Sequence, residues 1–148
     1  MKTFSEFAKA EPALSEFGRQ RFEGRIAYLA TIRNDGSPRV HPVAPLIAGD
    51  LFVYMEPTSP KAHDLRRDQR YAMNCAVEDS SGGQGEFLVS GEATEVHDAS
   101  TRAHVFEQAR ARGYFPLERY VLFELRIEAA MSTVYEGDAP KRVKWTDK

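Results

Sequence analysis

The sequence predicts a mainly β fold with peripheral helices, a small antiparallel barrel of six or seven strands. Three observations carry this. β-branched and aromatic runs recur along the chain, bounded by Asn, Asp and Gly turn signals. Most of the connections between them are short, which implies antiparallel pairing. Helical patterns fill only the few longer gaps, and a sheet that closes on itself removes its own edges.

The elements follow in order. Pro12 suits a first helical turn, and Leu14, Phe17 and Phe22 recur at helical spacing until Gly24. Arg25 to Ile32 is β-branched and reads as a strand, and Asn34-Asp35-Gly36-Ser37 as a turn. A second strand around Val40 and Val43 carries Pro38, Pro42 and Pro45, which places it at an edge or makes it irregular. Ala48-Gly49-Asp50 turns the chain into a third strand, Leu51 to Met55. Ser59 and Pro60 then cap and open a helix through Gln69. Tyr71 to Val77 is a fourth strand, Glu78 to Gly85 a polar loop, and Glu86 to Val96 a fifth strand with a bulge or bend at Gly91. Asp98 caps a helix that Gly113 closes. Tyr120 to Ile127 alternates cleanly, and Met131–Tyr135 and Val143–Trp145 complete the set.

Composition narrows the function. The chain has 148 residues, which suits one domain spanning 1–148, and no linker or repeat divides it. The net charge of −2 argues against nucleic acid as the main partner. No apolar run approaches the ~20 residues of a membrane helix, and the acidic start gives no expectation of a secretory leader. The single cysteine, Cys75, forms no internal disulfide and no thiolate metal cage, so a reduced, cytoplasmic setting is expected, and no metal site. Cys75 sits in an apolar strand and reads as a core residue.

The chemistry concentrates where the third strand runs into the following helix. A helix start carries unpaired N–H groups and partial positive charge. Thr58, Ser59 and Lys61 add two hydroxyls and an ammonium there, a set suited to phosphate. The same residues also read as an ordinary cap and a solvated charge. Arg39 and His41 are two apart on a strand and share a face, so they either converge on that helix start or line a solvated edge. Arg66, Arg67 and Arg70, interleaved with Asp64 and Asp68, read as a solvated helix face. His63, His97 and His104 read as surface residues, and no spacing suggests a catalytic triad or paired carboxylates.

The order Ala27 to Ile32, Asp35-Gly36-Ser37-Pro38, His41-Pro42-Val43, Phe52-Val53-Tyr54 and Ser59-Pro60-Lys61 resembles the pyridoxamine 5′-phosphate oxidase-like family. The resemblance covers about Gly24 to Glu92. It implies a six-stranded antiparallel split β-barrel with flanking helices, and a homodimer with FMN at the subunit interface. It further implies Ser59 and Lys61 at the phosphate, Tyr54 and Met55 beside the ribityl chain, and His41, Pro42 and Val43 along the ring. Trp145 matches a segment that approaches the flavin in relatives. Where the oxidase proper has Arg and Lys, this chain has His41 and Leu46, and no Arg-and-His signature follows Trp145. Pyridoxamine phosphate oxidation is therefore not implied. The expected function is an FMN-binding oxidoreductase acting on a small organic substrate. Deazaflavin-dependent reductases and non-catalytic flavin- or haem-binding proteins of the same broad family are the alternatives. If flavin is bound, the cofactor is expected to carry the redox step, with no protein nucleophile, and the protein to supply position and electrostatics.

Overall fold

The computed structural model describes residues 1–148. The chain runs α1 (Phe4–Ala10), α2 (Pro12–Phe22), β1 (Ala27–Ile32), β2 (Pro38–Val43), β3 (Leu46–Ala48) and β4 (Asp50–Met55). It continues as α3 (Pro60–Arg67), β5 (Arg70–Cys75), β6 (Glu86–Glu95), α4 (Ala99–Ala111), β7 (Val121–Glu136) and β8 (Ala139–Thr146). All strand pairs are antiparallel, in the order β2-β1-β5-β6-β7-β4-β3, with β8 added on β7.

That order dictates the shape. β2 and β3 lie at opposite ends of the hydrogen-bonded path, yet only Ala44 and Pro45 separate them in the chain. A sheet whose end strands are tied this closely must curl round. The two end strands do not pair with each other, so the curl stays open along one seam. The result is a split β-barrel with flanking helices. Its interior holds Leu29, Val53, Met73, Val89, Leu125 and Ile127. α1 and α2 add Phe4, Phe7, Leu14 and Phe22 to that core, with Phe22 edge-on to Phe87. A second, smaller core lies under α4, where Val105 and Ala109 cover Leu46, Ala48, Phe52 and Leu122.

Eight strands form where the sequence predicts six or seven. Leu46–Ala48 is a three-residue strand, too short to show a period. The alternation from Tyr120 and the run from Met131 are one sixteen-residue strand, β7. The pairing with β6 slips between Ser90 and Gly91, where Glu128 is left unpaired opposite. The inward set therefore changes from Leu125 and Ile127 to Ala130 and Ser132. The pattern breaks while the backbone continues. A Cβ on Gly91 would collide with the carbonyl of Arg126, so the bulge requires glycine. α1 is also additional. Thr3 and Glu6 form a capping box at its start, four residues that sequence periodicity does not register. α3 stops at Arg67, two residues short of the expected end, because Asp68 is extended. No helix is long and apolar enough to cross a membrane.

Candidate functional site

α3 leaves the end of β4 and packs over β1 and β6, and its Asp64 and Arg67 reach Thr31, Ile32 and Arg39 of the β1–β2 hairpin. Ser59 caps the helix, its Oγ accepting from the Ala62 N–H at 3.3 Å. Pro60 supplies no N–H, and the N–H of Lys61 donates to no protein group. The Lys61 side chain is half-buried and makes neither an ion pair nor a hydrogen bond. Burial lowers its pKa, which marks an ammonium with incomplete compensation.

β2 meets this helix with one face. Arg39, His41 and Val43 point inward and Pro38, Val40 and Pro42 outward, as strand alternation requires. Arg39 Nε donates to Asp64 Oδ2 at 2.7 Å. Asp64 is only 2% exposed and also accepts from Thr31 Oγ1 at 2.8 Å and from Arg67 Nη2 at 3.1 Å. Burial alone would raise the Asp64 pKa, but the donors Arg39, Thr31 and Arg67 outweigh it and hold the carboxyl below its ordinary value. His41 is shifted down, first by burial and then by the cations of Lys61 and Arg39. Its imidazole is thus kept neutral further into the acid range. Lys61 and Arg39 thus lie close enough to His41 for their charges to act on it, and Arg39 is held from behind by the buried Asp64 carboxylate. β2 is also an end strand, so its outward N–H and C=O groups have no strand partner.

The structure thus brings together Arg39, His41, Ser59 and Lys61 from the residues singled out in the sequence. Thr58 is exposed at the rim. Pro42 lies on the opposite face of β2, beside Tyr28 in the register, and Val43 is buried in the core. Met55 is also buried in the core and paired with Val121 of β7, so its side chain is not offered to a ligand. Tyr54 points to the α4 side, edge-on to Tyr114 with ring centroids 6.0 Å apart. There it lines a separate hollow with Arg102, Phe106 and Leu117. Trp145 packs on Phe7 at 5.0 Å, away from the β2–α3 cluster within this chain.

Asp64 and Thr31 are the additions. Arg66 and Arg70 do form exposed pairs with Glu95 and Asp68, as a solvated face would. Asp64 does not belong to that face; it is buried beneath the helix. Its place three residues after Lys61 puts both on one side of α3, which is the signal the sequence offered. His63, His97 and His104 are exposed, and Cys75 is buried, its sulfur accepting from the Phe87 N–H.

No protein-family profile and no curated protein matches the sequence. Solved structures do match. The conserved hypothetical protein Rv2991 of Mycobacterium tuberculosis is 19% identical with a TM-score of 0.67, over 92% of this chain and 84% of that one. HutZ, the haem storage protein of Vibrio cholerae, is 21% identical with a TM-score of 0.62, over 86% and 92%. A candidate pyridoxamine 5′-phosphate oxidase of Listeria innocua is 17% identical with a TM-score of 0.65, over 82% and 95%. These likenesses define the architecture. The fold is the split β-barrel of pyridoxamine 5′-phosphate oxidase-like proteins.

Proposed function

We propose that this chain binds FMN between β2 and α3 and acts as an oxidoreductase on a small organic substrate. The observation that carries the proposal is the half-buried Lys61 ammonium, which has no protein partner and acts with Arg39 on the nearby His41. An unpaired, partly desolvated cation beside a guanidinium is stabilised by an anion of matching charge. The Lys61 ammonium and the free Lys61 N–H at the start of α3 would hold the phosphate, with Arg39 beside them. The unpaired edge of β2 supplies donors and acceptors of the kind that the flavin pyrimidine ring can use. When bound, the flavin supplies hydride or electron transfer. Neutral His41 would donate a hydrogen bond to the phosphate or to the ring.

A second copy of the chain fits this reading. Tyr28 and Val40 are 46% and 62% exposed on the outer face of β1 and β2, next to the proposed ring position. A partner there would cover apolar surface and close the open side of the site. The visible spectrum of protein purified from its own source tests the cofactor, followed by extraction and mass analysis. Flavin bands with FMN in the extract support the proposal, and a colourless protein that binds no added FMN refutes it. Sedimentation at micromolar concentration tests the dimer.

One observation favours a second reading. A histidine kept neutral by burial and nearby cations is in the state that ligates haem iron, and HutZ, of the same fold, is a haem storage protein. A Soret band on adding haem, lost in His41→Ala, would favour haem over flavin.

A further inference from the structure

We infer that Asp64 is a positioning residue for an organic phosphate: its buried carboxylate grips Arg39 through Nε and so presents that guanidinium, with Lys61 and His41, to the anion. The inference rests on reading the meeting of β2 and α3 as an anion site. It adds a role for a residue of the same charge as the ligand.

The hydrogen bonds carry the argument. Asp64 Oδ2 accepts from Thr31 Oγ1 on β1 and from Arg39 Nε on β2. Asp64 Oδ1 accepts from Arg67 Nη2, and the same nitrogen donates to Ile32 O at 2.6 Å. Arg67 is therefore committed to the end of the β1 strand. Arg39 is not. A guanidinium has five N–H donors, and Arg39 uses only Nε, leaving both η nitrogens without a protein acceptor. Lys61 and Asp64 are three apart on one side of α3, and Arg39 and His41 share one face of β2. Both Lys61 and Arg39 are near enough to His41 for their charges to shift it, so the free end of Arg39 stands in the same electrostatic neighbourhood.

A carboxylate taken out of water costs several kcal/mol unless its oxygens are satisfied. An exposed acid would offset the local positive charge without that cost. Burial with three donors fits a carboxylate that fixes geometry. The two roles predict opposite signs. By Coulomb's law alone, removing a negative charge beside an anion site tightens anion binding. If Asp64 positions Arg39, removing the charge releases the guanidinium and weakens binding.

The test is a double-mutant cycle on Asp64→Asn, Arg39→Ala and the pair. FMN is titrated by flavin fluorescence, and inorganic phosphate by the His41 ring-proton resonances. Circular dichroism and urea unfolding verify the fold. Asp64→Asn is expected to weaken both ligands about tenfold, the scale of one charge-assisted hydrogen bond. In the Arg39→Ala background it should add no further loss. Unchanged or tighter binding by Asp64→Asn overturns the inference, as does a loss that persists without Arg39. Where Asp64→Asn does not fold, Thr31→Val removes only the hydroxyl that steadies Oδ2. That variant should weaken FMN about threefold, and unchanged affinity overturns the inference. If the wild type answers to phosphate but not to FMN, the flavin reading fails while the phosphate arm still judges Asp64. If it answers to neither, the inference falls with the site.

Discussion

Replacing Lys61 by Ala removes a cation beside His41 that, unlike Arg39, has no protein partner. A hydrogen bond to a charged group contributes about 1.5–3 kcal/mol. Lys61 is half-buried, so part of its interaction is screened by water, and the lower half of that range applies. A loss of about 1.5–2 kcal/mol corresponds to a roughly 10- to 30-fold weaker Kd for FMN. The assay is quenching of flavin fluorescence at constant ionic strength, because surface charge effects depend on salt. Riboflavin, which lacks the phosphate, is the internal control and should bind Lys61→Ala as it binds the wild type. Arg110 is the external control. It lies on α4, over the rings of Phe106 and Phe115 at 5.7 and 5.1 Å, and is not among the groups acting on His41. Arg110→Ala should change FMN affinity less than twofold, roughly the scatter expected of an exposed charge. Equal losses in Lys61→Ala and Arg110→Ala would refute the phosphate assignment. So would a riboflavin loss as large as the FMN loss.

Lys61→Ala should also raise the His41 pKa, because the Lys61 charge is the second cause, after burial, that holds it below 6.5; an NMR titration that finds no upward movement would separate the two side chains. Asp64 is held below its ordinary 3.8, so the folded protein releases that proton more readily than the unfolded chain. Its stabilisation is complete above about pH 4 and is lost as pH falls through the lower folded-state value. Asp64→Asn should therefore flatten the acid limb of urea midpoints collected between about pH 5 and 2. Arg21 is 3% exposed and donates to Ala76 O, Gly85 O and Gln84 Oε1, so Arg21→Ala strands buried carbonyls beneath α2. The cost is about 3 kcal/mol, or roughly 6–12 °C in Tm. Arg25→Ala, which breaks only the exposed pair with Glu78, should cost under ~1 kcal/mol, and a Tm that fell as far would contradict the clamp.

The features legible in the sequence are those that local physics decides. Asp98 and Ser59 cap helices because their oxygens reach N–H groups three residues on. Pro38 and Pro42 mark β2 as an end strand because they cannot donate to a second neighbour. Gly91 marks a bulge because only glycine fits against the Arg126 carbonyl. The same bulge hid the length of β7, since a register slip on one strand reverses the alternation of the other. The site divides along the same line. Arg39 with His41 and Ser59 with Lys61 were each visible as local pairs, but their meeting depends on α3 crossing the β1–β2 hairpin. Asp64 shows the limit best. Asp64 and Asp68 stand four apart among the same arginines, and nothing nearby in sequence says which is buried. The answer lies with Thr31 and Arg39, 33 and 25 residues away, whose donors make burial of one carboxylate tolerable. Asp68 meets only Arg70, its neighbour in sequence, and stays at the surface, held near a pKa of about 2 chiefly by that hydrogen bond. A buried charge is thus specified by its partners, and on this fold those partners belong to the strands that bring Lys61 and His41 together.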